Sequence, residues 1–208
     1  MKFLIHILLF AGFLTLCGAE TATLPAPVDA QKEAKEKAER ENAVRNTVTA
    51  FRTAQLTLDF RKMMEFCSKN YSEPGRSGIP ISLNDLKKII GYCDKMLTSD
   101  DLEVIMENAL LIQGQQLSSK QKEELAQLKK SCKDKIIAAG VKKNFAAIAD
   151  AGKKAVVTVS NISADAQSAA ADIITKTADG KIYHSRCFLI FSNGKWLVNK
   201  LEHKGIIQ

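Results

Sequence analysis

Apolar and polar positions change their spacing several times along the chain, and each change predicts a new element. Residues 3 to 16 (FLIHILLFAGFLTL) are a run of fourteen residues behind Lys2, and residues 20 to 31 (ETATLPAPVDAQ) hold two prolines and no period, which predicts a linker. Asp29 is the expected N-cap of a helix whose first turns are solvated. There Glu33 and Lys37, Glu36 and Arg40, and Glu41 and Arg45 stand in the favourable i,i+4 order. From Val44 an apolar stripe runs through Val48, Phe51 and Leu58, and a second stripe of different phase follows at Phe60, Met63 and Cys67. The phase change predicts two helices meeting at Asp59, which can cap the second.

Residues 72 to 81 (SEPGRSGIPI) hold two prolines and two glycines and read as loop. Three helices follow, opened by Ser82 with Asp85, Thr98 with Asp101, and Ser118 with Gln121 as capping boxes; the last carries Leu125, Leu128, Cys132 and Ile136 and is expected to end near Gly140. After Gly140 the period falls from 3.6 to 2. Residues 144–150, 155–163, 168–177, 181–191 and 195–201 are strand candidates, with Asp179-Gly180 and Asn193-Gly194 as hairpin turns. Helices followed by such a meander predict the α+β class, the helices lying on one face of a curved antiparallel sheet of about five strands. The expected organisation is a leader at 1–19, a linker and solvated helix start at 20–42, and one domain at 43–208 with extra helices at 82–139.

The chain has 208 residues, 46% hydrophobic and 25% charged, which excludes a disordered or polytopic membrane protein. Its formal charge of +7 is dispersed over lysine doublets in separate segments without aromatic interleaving, so nucleic acid is not an expected partner. The apolar run near the start is shorter than a bilayer span and is read as a signal peptide cleaved after Ala19. The rival reading is a lipoprotein signal in which Cys17 is acylated, although Leu16 occupies a position where that motif prefers a small residue. The protein is therefore expected to be exported, either periplasmic or secreted, or alternatively tethered to a membrane through Cys17. In an oxidising compartment Cys67, Cys93, Cys132 and Cys187 allow three disulfide pairings, and the alternative is that they are small buried apolar side chains. No C-x-x-C spacing points to zinc or redox chemistry.

The bent helix pair joined at LTLD, Tyr71 near its end, and a long meander closing in FLIFSNGKWLVNKLE resemble the nuclear-transport-factor-2-like superfamily, a cone-shaped α+β roll. The resemblance covers residues 43 to 204 and is similar in particular to small exported bacterial proteins of that fold. It implies a cavity between the helices and the concave sheet, used for small ligands or protein partners and, in some members, for isomerase or dehydratase chemistry. It also implies dimerisation through the sheet.

Two-residue turns at both hairpins would place Thr175 opposite His184 and His184 opposite His203. One face would then carry Thr175, His184, His203, Arg186 and Asn199, a candidate site for a small acidic ligand, with no acidic residue on that face of the last three strands. The same face would hold Ala171, Ile173, Phe188, Ile190, Leu197 and Leu201. The opposite face, with Ile174, Tyr183, Leu189, Phe191, Trp196 and Val198, is also substantially apolar, so the pattern does not decide which face the helices cover, and burial of the second face by a partner subunit is the accompanying expectation. No catalytic constellation, metal set or cofactor motif is present: there is no G-x-S-x-G, H-E-x-x-H or phosphate loop. The sequence therefore reads as a non-catalytic module of the cell envelope that binds a small ligand or an envelope protein. The alternatives are an enzyme using a cavity histidine, and a structural protein whose cavity is filled by its own side chains.

Overall fold

The long first helix, α1 (Pro27–Leu56), begins at a proline, whose fixed φ and missing N–H suit a first helical turn. Asp29 consequently lies inside that turn rather than capping it. The computed structural model describes residues 27–75, 79–131 and 133–207; the readings of the leader, its cleavage, Cys17, the linker up to residue 26, and Cys132 lie outside the described residues. Val44, Val48, Phe51 and Ala54 form the buried stripe of α1, while residues 29–39 are exposed. The break falls where the phase changes. Leu58 takes φ 57, and the Asp59 carboxylate accepts from the Lys62 backbone N–H at 3.1 Å to open α2 (Phe60–Glu65).

The residues after α2 depart from expectation. Cys67 and Tyr71 do not continue a helix but belong to strand β1 (Cys67–Pro74), followed by a short β2 (Pro80–Ser82), so part of the expected loop is sheet. Both prolines sit at strand ends, where a missing donor is tolerated. β1 pairs in parallel with β6, a strand supplied from about 130 residues further on. Local pattern carries no trace of such a partner.

The capping boxes at Ser82 and Ser118 form as expected, opening α3 (Leu83–Thr98) and α5 (Ser119–Lys130). At α4 (Leu102–Ile112) the cap is Asp101 itself, accepting from the Glu103 N–H at 2.9 Å, while Thr98 ends α3. The expected last helix is divided, and its second part, α6 (Asp134–Lys153), runs straight through Gly140. Residues 144–150 are therefore helix and not strand. Ile137, Val141 and Phe145 recur every fourth residue against a second apolar core formed by Met96, Leu102, Ile105, Leu125 and Ala138, and the alanines around them are strong helix formers. At its end α6 is pressed onto α1: a Cβ added at Gly152 would lie 1.9 Å from the Leu56 carbonyl oxygen.

The other four strand candidates form β3 (Val156–Ala164), β4 (Ser168–Lys176), β5 (Ile182–Ser192) and β6 (Lys195–Ile207). Among the described residues the sheet is mixed, curved and unclosed, with six strands in the order β2-β1-β6-β5-β4-β3, of which β1 and β6 pair in parallel. The main core lies between α1, α2 and α3 and the inner face of this sheet, joining Val44, Val48, Phe51 and Met63 to Ile173, Leu189, Trp196, Val198 and Leu201. Cys67, Cys93 and Cys187 are buried free thiols, and burial pushes Cys67 and Cys187 up to about 12. They act as small apolar side chains. No helix among the described residues is long and apolar enough to cross a membrane.

Candidate functional site

Which side chains meet depends on strand register. The Asn193-Gly194 turn is the tight one expected, with positive φ at both residues and Ser192 opposite Lys195. Two bulges then interrupt β6. Leu189 faces Val198 but Phe188 faces Lys200, leaving Asn199 unpaired; Ser185 faces His203 but His184 faces Gly205, leaving Lys204 unpaired. The other hairpin is wider than a two-residue turn, since Lys176 faces Ile182 and the Thr177 N–H donates to the Lys181 carbonyl at 2.9 Å. Thr175 consequently faces Tyr183.

The expected row of Thr175, His184 and His203 does not form, because a shift of one residue sends a side chain to the opposite face. Thr175 and His203 lie on the inner face with Ser185, Ala171 and Ile173, while His184 and Arg186 lie on the outer face. Leu189, Trp196 and Val198, on the face opposite the expected row, are buried in the main core under the chain's own helices, which decides the face that the pattern left open. Asn199, at its bulge, accepts from the Ser68 hydroxyl at 2.8 Å and takes no part in either group.

The outer face also holds the acids that the expected register excluded. Asp172 faces Arg186, which faces Glu202. Arg186 Nη1 donates to Asp172 Oδ1 at 3.2 Å, His184 Nε2 is 3.8 Å from the same oxygen, and Asn161 Nδ2 donates to Asp172 Oδ2 at 2.9 Å. The Asn161 amide, then Arg186 and His184, hold the Asp172 carboxyl below its usual range. Glu202 in turn meets Lys200 at 2.8 Å and Lys204 at 3.2 Å. The Arg186 charge is thus already matched.

On the inner face a different arginine is exposed to a cavity. Arg52 continues the buried stripe of α1, four residues after Val48, and is itself only 7% exposed. Its Nε donates to Thr175 Oγ1 at 3.1 Å, and its Nη1 donates to Gln55 Oε1. Gln55 Nε2 donates to Glu73 Oε2 at 2.7 Å. The Gln55 amide therefore joins a buried cation to a buried carboxylate, Glu73 being 6% exposed. Burial lowers the Arg52 pKa against the opposing pull of Glu73, and raises that of Glu73 against the Gln55 hydrogen bond and the Arg52 cation. Nearby, the Tyr71 hydroxyl is buried without a hydrogen-bond partner among the described residues, although it lies against the Glu73 carboxyl. Phe51 holds the Tyr71 ring edge-on at 5.9 Å.

Arg52, Gln55, Tyr183, Ser185, His203 and Ile206 line a cavity of about 430 Å³ between α1 and the start of β5 and end of β6. Among the described residues Nη2 of Arg52 has no protein partner. His203 stands exposed at the mouth, its Nδ1 3.2 Å from Ser185 Oγ, and desolvation followed by the Arg52 charge lowers its pKa. The imidazole meets a hydroxyl, not a carboxylate that would orient it as a general base. Among the described residues no group of three or more His, Cys, Asp or Glu side chains is placed to hold a metal ion. What the cavity offers is a fixed cation with a free hydrogen-bonding edge and a neutral imidazole beside it.

Arg52, Gln55 and Glu73 were not singled out by the sequence reading. One signal was present: an arginine at the i+8 position of the Val44 and Val48 stripe, where an apolar residue is expected. Glu73 carried no signal, being framed by Ser72 and Pro74 in an apparent loop.

A roll of helices on a curved sheet, with a polar cavity at one end, is the class of protein that this geometry defines. The chain is similar in fold to NTF2-like proteins of solved structure. A protein of unknown function from Silicibacter pomeroyi matches at TM-score 0.43 and 11% identity over 82% of this chain and 98% of its own. A protein with a cystatin-like fold from Novosphingobium aromaticivorans matches at 0.42 and 9% over 88% and 90%. One from Shewanella baltica matches at 0.41 and 10% over 82% and 96%. At such identities the likeness concerns fold alone. No protein-family model matches the chain, and no curated protein matches it.

Proposed function

We propose that this chain is an exported, non-catalytic module that binds a small acidic ligand in the cavity between α1 and the start of β5 and end of β6. The observation that carries the reading is Arg52: a buried guanidinium held by Thr175 and Gln55, with its remaining edge turned to a cavity of about 430 Å³. A guanidinium fixed in this way is preorganised for a carboxylate, and charge-assisted bonds are the stronger kind. Arg52 therefore takes the role that the sequence reading gave to Arg186. Of the candidates, Thr175 positions Arg52, His203 forms the mouth, and His184 contributes to the rim.

The test is thermal unfolding in the presence of butyrate and of butyramide, a neutral analogue of nearly the same shape. A ligand that binds only the folded chain raises Tm in proportion to the logarithm of its concentration. Butyrate is expected to raise Tm and butyramide to leave it unchanged, with the butyrate effect weakened at least about tenfold in concentration by Arg52→Lys, which keeps a charge but loses the fork. Absence of any shift with butyrate and longer straight-chain carboxylates would overturn the reading. Export rests on residues 1–19 and is tested by N-terminal sequencing of protein recovered from the envelope fraction, with Glu20 expected first; a diacylated peptide starting at Cys17 would decide for the tethered alternative.

A further inference from the structure

The acidic-ligand reading leaves the buried carboxylate of Glu73 to be explained. No direct ion pair joins it to Arg52; the Gln55 amide stands between them, accepting from the cation and donating to the acid. Among the described residues the charged and titratable groups around Glu73 are few. Arg52 comes from α1, Tyr71 and Cys67 from β1, and Cys187 from β5, with Tyr183 and His203 beyond Arg52. Of these described groups Arg52 carries the fixed positive charge, while desolvation and then the Arg52 charge lower the His203 pKa.

While the cavity holds no anion, Arg52 and Glu73 balance one another. A carboxylate bound at Nη2 would put two negative groups around one guanidinium in a poorly solvated interior, an arrangement that favours protonating one of them. The bound ligand can share the solvated mouth, whereas Glu73 is enclosed. The protonated form of Glu73 also has a bonding partner waiting. It keeps one oxygen as acceptor for Gln55 Nε2, and its new O–H can donate to the Tyr71 hydroxyl oxygen, which lacks any hydrogen-bond partner among the described residues.

Building on the acidic-ligand reading, we propose that this cavity takes up an anion together with a proton, the anion settling on Arg52 and the proton, drawn from solvent, on Glu73. Gln55 and Tyr71 are positioning residues in this exchange. The cavity would then release its ligand as pH rises, through a group that the ligand never touches.

Calorimetric titration with butyrate in two buffers of different ionisation enthalpy counts the protons taken up. At pH 7.5 the expected count is about one per butyrate, and affinity falls about tenfold per pH unit above neutrality. Glu73→Gln, isosteric and permanently neutral, is expected to bind butyrate with almost no proton uptake and with affinity independent of pH over that range. His203→Phe is expected to keep the uptake. Should Glu73→Gln fail to fold, the carbon-13 resonance of the Glu73 carboxyl in the native chain reports the same event, moving to the protonated position when butyrate is added. Uptake unchanged in Glu73→Gln, uptake lost in His203→Phe, or butyrate binding with no uptake at all would overturn the proton linkage while leaving the acidic-ligand reading intact. Failure of butyrate to bind would instead remove the reading on which it rests.

Discussion

An arginine stands near a carboxylate on either face of the sheet, Arg186 with Asp172 outside and Arg52 of α1 with Glu73 of β1 inside, and the two pairings behave in opposite ways. On the outer face Arg186 and Asp172 touch at 3.2 Å, flanked by His184, Asn161, Glu202 and two lysines, with Arg186 open to water. On the inner face Arg52 and Glu73 are both buried and communicate only through the Gln55 amide. The outer contact is short, and although Asp172 is itself buried, water reaches the Arg186 side and screens the pair to about 1 kcal/mol. The inner one is indirect but unscreened, so losing either member strands a charge in the core. Contact distance alone would rank the two the wrong way round.

The largest test of this difference is Arg52→Met against Arg186→Met in urea unfolding. The inner substitution is expected to cost about 3–5 kcal/mol, and the outer one less than about 1 kcal/mol. Equal losses would show that the inner pair is hydrated. Next in size is Thr175→Val, which removes the acceptor for Arg52 Nε and is expected to cost about 1.5–3 kcal/mol, against about 0.5–1.5 kcal/mol for Asn161→Ala beside Asp172.

The pH dependence of stability should carry opposite signs on the two faces. The Glu73 carboxyl has a folded pKa raised by burial, so between its unfolded value near 4.5 and that raised value the folded chain holds more protons than the unfolded one. Stability attributable to Glu73 therefore falls as pH rises through this window. Asp172 has a lowered folded pKa, chiefly through Asn161, so its contribution is present above about 3.8 and is lost as pH falls toward the folded value. Urea midpoints followed from pH 3 to 8 are expected to lose the fall above pH 4.5 in Glu73→Gln, and to lose part of the acid-side drop in Asp172→Asn. A Glu73→Gln profile parallel to that of the wild type would show that Glu73 ionises normally in the fold.

The smallest effect is expected at Tyr71→Phe. A buried hydroxyl without a partner contributes no hydrogen bond to lose, so stability should stay level or rise by up to about 1 kcal/mol, while the ring packing on Phe51 is kept. A loss of more than about 1 kcal/mol in urea unfolding would show that the hydroxyl is bonded to Glu73 even without ligand.

The sequence by itself determined the elements whose evidence is local. The break at Asp59, the caps at Ser82 and Ser118, four of the strands and the Asn193-Gly194 turn all follow from side chains within a few residues of one another, as does the α+β class. Tertiary structure decided everything that depended on a distant partner. β1 exists because β6 lies beside it; α6 stays helical through residues 144–150 because Phe145 has a second core to enter. The candidate site shows the same division at the scale of single residues. His203 and Thr175 were candidates from the sequence, but their assignment to a row with His184 and Arg186 assumed two unbroken hairpins. Strand side chains alternate with a period of 2, so the bulges at Asn199 and Lys204 and one wider turn were enough to exchange faces. Whether a strand bulges is settled by how its side chains pack against α1 and β1, and that information is spread over the whole chain.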